Sequence, residues 1–281
     1  MTEGAGSTPD ADGLVEYWRA LHARREQVPD EQIVCHPGAP DWLNAYVASA
    51  QRRAMKRALE HVPSLRGKKI LDLGCGTGRW SAYLHALGGN VLGVDVSEDA
   101  IEQNRRRYRG IRFSTANIDQ LDLGESFDVV VTVTVLQHLP ASRQTSALGR
   151  INSHLRHGGW VVALENIKDV GRHVFARPID EWQSGFEEAG LRRVWAAGYE
   201  YSLPIRAVQQ LAGWWPRADG PASAPSQSTA RERGLATTLY RTMALHPAVW
   251  LSTGSDPLLE RYAPAKWASH AAMVFRRPDH G

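Results

Sequence analysis

The stretch Ile70-Leu-Asp-Leu-Gly-Cys-Gly-Thr-Gly-Arg-Trp80 decides how the rest of this chain is read. A short apolar run, Ile70 to Leu73, breaks into three glycines alternating with small residues, and a helix is predicted from Thr77 to about Leu87. Glycines permit a tight turn and let a ligand lie against the backbone, near the positive N-terminus of the following helix. Asp95 stands 21 positions after Gly74, at the end of the next apolar run, Asn90 to Val96. There a carboxylate can accept hydrogen bonds from both hydroxyls of a ribose. A dinucleotide loop reads G-x-G-x-x-G and cradles a pyrophosphate. Here the spacing is G-x-G-x-G, introduced by Asp72, and an acid beside the loop disfavours a pyrophosphate.

Downstream, apolar runs and helical patterns alternate. Ser97-Glu-Asp caps a helix predicted to reach Tyr108. Ile111–Thr115 reads as a third strand and Phe127–Val135 as a fourth, almost wholly apolar, as a strand buried on both faces should be. A helix over about 142–155 is expected to end on the glycine pair Gly158-Gly159. Trp160–Glu165 follows as strand five, then a helix over 180–189 and strand six over 191–199. This rhythm predicts a doubly wound, mostly parallel sheet. Upstream lie two predicted helices, about 12–28 and 42–61, the second with Asp41 as its N-cap. Residues 202–264 break the alternation with a helix near 204–215, a Pro/Ser/Ala/Gly-rich stretch over 217–229 and a helix near 231–245, before a last strand at Ser269–Phe275. The expected division is a disordered tail (1–11), an N-terminal helical cap (12–61), a Rossmann-like core (62–201), a helical cap insertion (202–264) and the final core strand with the C-terminus (265–281).

The 281 residues are 43% hydrophobic and 22% charged, an ordinary globular composition, with a net charge of +3. No apolar run approaches the roughly 18–20 residues of a membrane helix, and the N-terminus lacks a basic and apolar leader pattern. The two cysteines, Cys35 and Cys75, have no metal-type spacing, so free thiols and a cytoplasmic setting are expected. The basic run Arg105-Arg-Arg-Tyr-Arg109 reads as a solvated helix end, where cations suit the helix dipole, rather than as a nucleic-acid surface. No nucleic-acid or membrane partner is expected.

Together these segments resemble the class I S-adenosylmethionine (SAM) methyltransferases over roughly residues 68–200. Asp72-Leu-Gly-Cys-Gly-Thr-Gly78 is similar to that family's first motif and Val94-Asp-Val-Ser97 to its ribose segment. Ala116-Asn-Ile-Asp119 stands where adenine contacts follow strand three. Phe127-Asp-Val-Val130 through Leu136-Gln-His-Leu-Pro140 resembles the strand-four signature, and Leu155-Arg-His-Gly-Gly-Trp160 and Phe186-Glu-Glu-Ala-Gly-Leu191 resemble the entries to strands five and six. The resemblance implies a Rossmann-like, seven-stranded sheet with the last strand antiparallel, and SAM as cofactor. It places Asp72, Gly74, Cys75, Gly76, Arg79, Asp95, Val96, Asn117, Ile118 and Val133 at the cofactor. Many relatives carry an aspartate directly after strand three, whereas this chain offers Asn117, whose amide can also bond adenine. Tyr17 and Tyr46, from the N-terminal helices, are positional candidates for the amino-acid end of SAM.

Methyl transfer from a sulfonium needs an aligned acceptor, exclusion of water and, for a hydroxyl, a proton acceptor. His138, just after strand four, and Glu165, ending strand five, are the candidate catalytic residues, since ligands bind at the carboxyl ends of such strands. The alternative for His138 is packing beside the cofactor, and for Glu165 a surface or capping carboxylate. A metal built from Glu165, Asp169 and a histidine fits no recognised spacing, so none is expected. Ten tryptophans, six of them in or next to the cap regions (Trp18, Trp42, Trp214, Trp215, Trp250, Trp267), read either as cap-to-core packing or as walls for a large acceptor. The functional expectation is methylation of a small-molecule hydroxyl in secondary metabolism. Nitrogen or carbon acceptors, an RNA or protein methyltransferase and a non-catalytic SAM-binding protein are the alternatives, and monomer and homodimer both stay open.

Overall fold

The computed structural model describes residues 16–20, 40–168, 174–211 and 245–279. The tail over 1–11, Cys35, Asp169, His173, the Pro/Ser-rich stretch and the expected helix over 231–244 lie outside them. In chain order come α1 (Asp41–Leu59), β1 (Lys69–Leu73), α2 (Arg79–Ala86), β2 (Asn90–Asp95), α3 (Glu98–Arg107), β3 (Arg112–Thr115), β4 (Phe127–Val133), α4 (Ala141–His154), β5 (Leu155–Asn166), α5 (Ile179–Glu188), β6 (Arg192–Tyr199), α6 (Leu203–Leu211), α7 (His246–Tyr262) and β7 (His270–Arg276). A short 3-10 turn, Leu136–His138, follows β4.

One seven-stranded sheet has the order β3-β2-β1-β4-β5-β7-β6. Neighbours from β3 through β5 pair parallel, while β7 runs antiparallel between β5 and β6. The mostly parallel sheet with its last strand reversed is the architecture expected from the alternation and the resemblance. Both faces are covered, which is why the central strands read as continuous apolar runs. Leu71, Leu73, Val130, Met273 and Phe275 face one layer with Phe186 and Leu148. Ile70, Val129, Val131 and Val274 face the other, against Ala54, Met55 and Ala58 of α1 and Leu84 of α2. The second half of α1, expected in a cap, thus packs directly on the sheet. Its first half joins α6 and α7 in a separate apolar cluster around Tyr46, Val47, Ile205 and Val249.

Two local expectations are corrected. Asp41 is the first helical residue of α1 and Pro40 its N-cap, without a side-chain cap bond. The helix expected to run to the glycine pair ends at His154, and β5 starts at Leu155, pairing with Phe127 across a register irregularity. Helix α7 adds to the expected elements: Pro247 occupies its first turn, where a missing N–H is harmless, and Pro257 is accommodated inside the helix. Among the described residues no helix is long and apolar enough to cross a membrane.

Candidate active site

The carboxyl ends of β1 to β4 open onto one cleft that is continuous with solvent. Its floor is the glycine loop. The Gly74 and Cys75 N–H groups donate to the Val94 carbonyl of β2, at 2.8 and 2.9 Å. Gly74 and Gly78 have φ of +71° and +74°, a left-handed conformation in which a side chain is strained. Gly78 is the N-cap of α2, so the loop delivers the backbone to the helix start without a side-chain cap. Asn104 of α3 closes the loop from behind by donating to the Gly76 carbonyl at 2.8 Å.

Asp95 ends β2 on the wall beside this loop. Its Oδ2 accepts from Gly76 N–H at 2.8 Å and its Oδ1 from Ser97 N–H at 3.0 Å. Each carboxylate oxygen has a second lone pair for a ligand hydroxyl. Ser97 also caps α3 through Ala100 N–H. Cys75, Gly76, Arg79, Val96, Asn117, Ile118 and Val133 line the same cleft with Gly74 and Asp95. The Cys75 thiol is free and buried; burial, with Asp95 nearby, holds its pKa well above the ordinary thiol value.

At the other end the post-β4 turn brings His138, Leu139 and Pro140 to the cleft, with Arg143 of α4. Trp18, from the helical stretch 16–20, meets the His138 ring edge-on, 4.7 Å between centroids. His138 therefore stands between an aromatic wall and the floor, and Gln137 Nε2 lies 3.4 Å from its Nε2.

Residues 70–159 match the methyltransferase domain family. The ubiquinone biosynthesis O-methyltransferase of Bradyrhizobium diazoefficiens is 30% identical over 142 residues, 49% of this chain and 55% of that protein. The 27-O-demethylrifamycin SV methyltransferase of Amycolatopsis mediterranei is 30% identical over 179 residues, 56% of this chain and 65% of that protein. The chain thus spans between half and two thirds of the length of these relatives. Among solved structures, the magnesium protoporphyrin IX methyltransferase of Synechocystis PCC 6803, with bound S-adenosylhomocysteine (SAH), aligns with a TM-score of 0.56 at 17% identity, over 68% of this chain and 94% of that one. The [4+2]-cyclase SpnF aligns with a TM-score of 0.55 at 18% identity, over 83% and 82% of the two chains.

This chain carries a class I SAM-dependent methyltransferase domain. The donor set of the cleft suits S-adenosylmethionine. Among the described residues, the Nε–H of Arg79 and the indole N–H of Trp80 are buried without a hydrogen-bond partner. Both residues line the cleft, and they are donors that the carboxylate of an amino-acid moiety would satisfy. Asp95 presents a carboxylate and Asn117 an amide to the same cleft.

Three expected site residues of the methyltransferase domain lie away from the cleft, and each placement has a physical reason. Asp72 is buried beneath the glycine loop, where its Oδ2 accepts from the Ser81 hydroxyl at 2.5 Å. Strand alternation turns it toward α2, on the same side as Ile70, so it braces the loop from below instead of facing the ligand. Burial raises its pKa to about 6, against the lowering effect of the Ser81 hydrogen bond. Tyr46 is packed between α1, α6 and α7; its hydroxyl donates to Asp256 Oδ2 at 2.5 Å and lies 3.0 Å from Ser202 Oγ. Glu165, expected on the rim as a base, is fully buried inside β5, which continues to Asn166. Burial raises its carboxyl to about 7, opposed by the donors around it.

Residues not anticipated at the cleft are chiefly Trp80, Thr134, Val135, Leu139 and Arg143. The position of Trp80 one residue into α2 was the available signal. Of the six tryptophans in or next to the cap regions, Trp18 lines the cleft, Trp42 packs edge-on against His246, and Trp250 and Trp267 are exposed. Trp214 and Trp215 lie outside the described residues. Among the described residues no group of three His, Cys, Asp or Glu side chains could hold a metal ion.

Proposed function

We propose that this protein transfers the methyl group of SAM to a hydroxyl of a small-molecule acceptor held between the cofactor site and the Trp18–His138 wall. The observation that carries this reading is the single cleft in which the glycine loop and Asp95 occupy one end and His138 the other. When bound, SAM supplies a sulfonium-activated methyl group. Asp95 and Asn117 orient the nucleoside, and Arg79 with Trp80 receives the amino-acid end. His138, whose imidazole is a side chain suited to general-base chemistry, is the group positioned to take the hydroxyl proton as the oxygen attacks. Trp18 and Leu139 exclude water from that end and offer an apolar surface to a planar or reduced ring.

Hydroxyl methylation within secondary metabolism is supported by the chemistry of His138 and by the names of two relatives, an O-methyltransferase and a methyltransferase of 27-O-demethylrifamycin SV. The fold alone does not carry it, since a [4+2]-cyclase shares the architecture. The deciding experiment is calorimetric titration with SAM and SAH. Methyl-labelled SAM is then incubated with panels of phenolic, alcoholic and amine acceptors, and products are read by mass spectrometry. Binding of SAH with label on an oxygen is the expected result. Label on nitrogen or carbon moves the acceptor class, and SAH binding without transfer to any panel leaves a SAM-binding protein. Failure of SAM and SAH to bind, while NAD raises the melting temperature, would sink the cofactor assignment in this chain.

A further inference from the structure

Glu165 is a buried acid with no cation beside it among the described residues, and its surroundings are unusual. Oε1 accepts from the Thr132 hydroxyl at 3.1 Å, from Val135 N–H at 3.4 Å and from Leu136 N–H at 3.2 Å. Oε2 accepts from Gln137 N–H at 3.2 Å. Three successive N–H groups of one turn thus converge on a single carboxylate from the next strand. The turn needs such an anchor. Thr134, just before it, has a φ of +55°, which is unfavourable for a β-branched residue. Other contacts fix the remaining groups of the turn: Gln144 Nε2 donates to the Leu136 and Leu139 carbonyls at 3.2 and 3.0 Å, and Gln137 Oε1 accepts from Asn166 N–H at 2.7 Å. What the turn carries is His138, the next residue, whose N–H donates to the Val135 carbonyl at 3.0 Å.

We infer that Glu165 is a positioning residue: by collecting the N–H groups of Val135, Leu136 and Gln137 it sets the turn that presents His138 to the acceptor end of the cleft. The functional consequence rests on the reading proposed above, but the positioning itself does not. A neutral glutamine in its place keeps the size yet turns an N–H₂ toward one set of donors, so part of the turn loses its acceptor. An aspartate keeps the charge and shortens the reach by one methylene. The carboxyl, raised to about 7 by burial, further makes the anchor sensitive to pH near neutrality.

The test compares wild type with Glu165→Gln and Glu165→Asp by NMR of the His138 ring, assigned by its loss in His138→Ala. Amide exchange at Val135–Gln137 and SAH affinity are measured on the same samples. Both variants are expected to shift the His138 ring resonances and its titration midpoint. They should also speed exchange of the three amides by roughly tenfold or more, the scale of a lost hydrogen bond to a charged group. His138 resonances unchanged in both folded variants overturn the inference. So does a shift in the glutamine variant alone, which would mark a through-space charge effect. Should neither variant fold, Thr132→Val removes one donor and leaves the carboxylate in place. The same ring resonances must then move, and unmoved resonances overturn it. Absence of SAH binding by the wild type would instead refute the proposed function and leave this result standing by itself.

Discussion

Replacing Gly74 by alanine tests the central packing of the site, because two independent penalties meet there. The backbone φ of +71° is left-handed, which for a residue with a Cβ costs about 1–2 kcal/mol. The added Cβ would also fall 2.4 and 2.7 Å from the two γ carbons of Val135 and 3.1 Å from its Cβ. Those distances are far inside contact, and Val135 is β-branched on a turn whose N–H groups Glu165 holds, so it cannot swing aside. Overpacking of this kind costs about 1–3 kcal/mol. The sum, on the order of 2–5 kcal/mol, is a large share of the roughly 5–15 kcal/mol that holds a domain folded. Val135→Ala removes the carbons that clash but leaves the left-handed backbone. In a double-mutant cycle, Gly74→Ala should therefore destabilise the Val135→Ala protein by about 1–3 kcal/mol less than it destabilises the wild type. Urea unfolding gives the four free energies, and titration with SAH follows the cofactor loop through the same set. A coupling below about 0.5 kcal/mol, the level expected of independent sites, would show that the glycine is needed for its φ alone and that the loop and the post-β4 turn are not in register.

Asp95→Ala should weaken SAH binding by about 1.5–3 kcal/mol, the scale of a charge-assisted hydrogen bond; unchanged calorimetric affinity would remove Asp95 from the ribose role. His138→Ala should lower turnover on an identified hydroxyl acceptor by about 10²–10⁴-fold with SAH affinity kept, the range for a general base, and wild-type turnover would place proton removal elsewhere. Tyr46→Phe deletes one donor to Asp256 and should cost about 1–2 kcal/mol of stability without changing SAH affinity; a large loss of affinity would return Tyr46 to the cofactor. Stability should also fall with rising pH. Asp72, Glu165 and Glu200 have folded pKa values raised by burial to about 6, 7 and 8. A raised acid contributes its stability fully below its unfolded pKa, near 4, and loses it as pH climbs through the folded value. The urea midpoint is expected to drop between pH 5 and pH 8.5, with Glu200→Gln flattening the upper part of that slope. Glu200 is faced by His270, Asp256, Glu260, Tyr46, Arg53 and Arg206, so a slope that stays the same in this variant would assign the titration to those neighbours.

The glycine spacing, the ribose acid and the apolar strands were legible because each depends on local sequence. Gly74, Asp95 and the Asn117-Ile118 pair are placed by the strand ends that precede them, and the structure brings them to one cleft. Asp72 lies away from the cleft, and its own strand gives the reason: alternation along β1 puts it on the side of Ile70, facing Ser81. The place of Glu165 turns on one strand boundary. With strand five ended at 165 it is a rim residue, but β5 runs on to Asn166 and pairs there with His270, so the glutamate sits inside a strand covered on both faces. Tyr46 could not be placed by any local rule. Its partner Asp256 lies 210 positions away on α7. The Trp18–His138 contact is long-range in the same way.

The buried acids also reverse a common inference. Groups with pKa values strongly perturbed by burial are often taken to mark an active site; Cys75 is such a group and lines the cleft, but the carboxyl groups that would be chosen are Asp72, Glu165, Glu200 and Asp256. None of the four lines the cleft. Two of them instead fasten the chain where it leaves a strand. Glu165 accepts from the turn after Thr134, while Asp256 accepts from Tyr201 and Ser202 N–H in the turn after β6. Among the described residues, the non-glycine residues with positive φ are Thr134, Glu200 and Ser202, and all three stand in these two turns. Each left-handed residue costs about 1–2 kcal/mol, and each hydrogen bond the acid accepts from the turn returns about 0.5–1.5 kcal/mol. A buried acid thus does at these two strand ends what glycine does after β1. It lets the backbone turn sharply while side chains remain, and after β4 the side chain so retained, one step beyond the anchored amides, is His138.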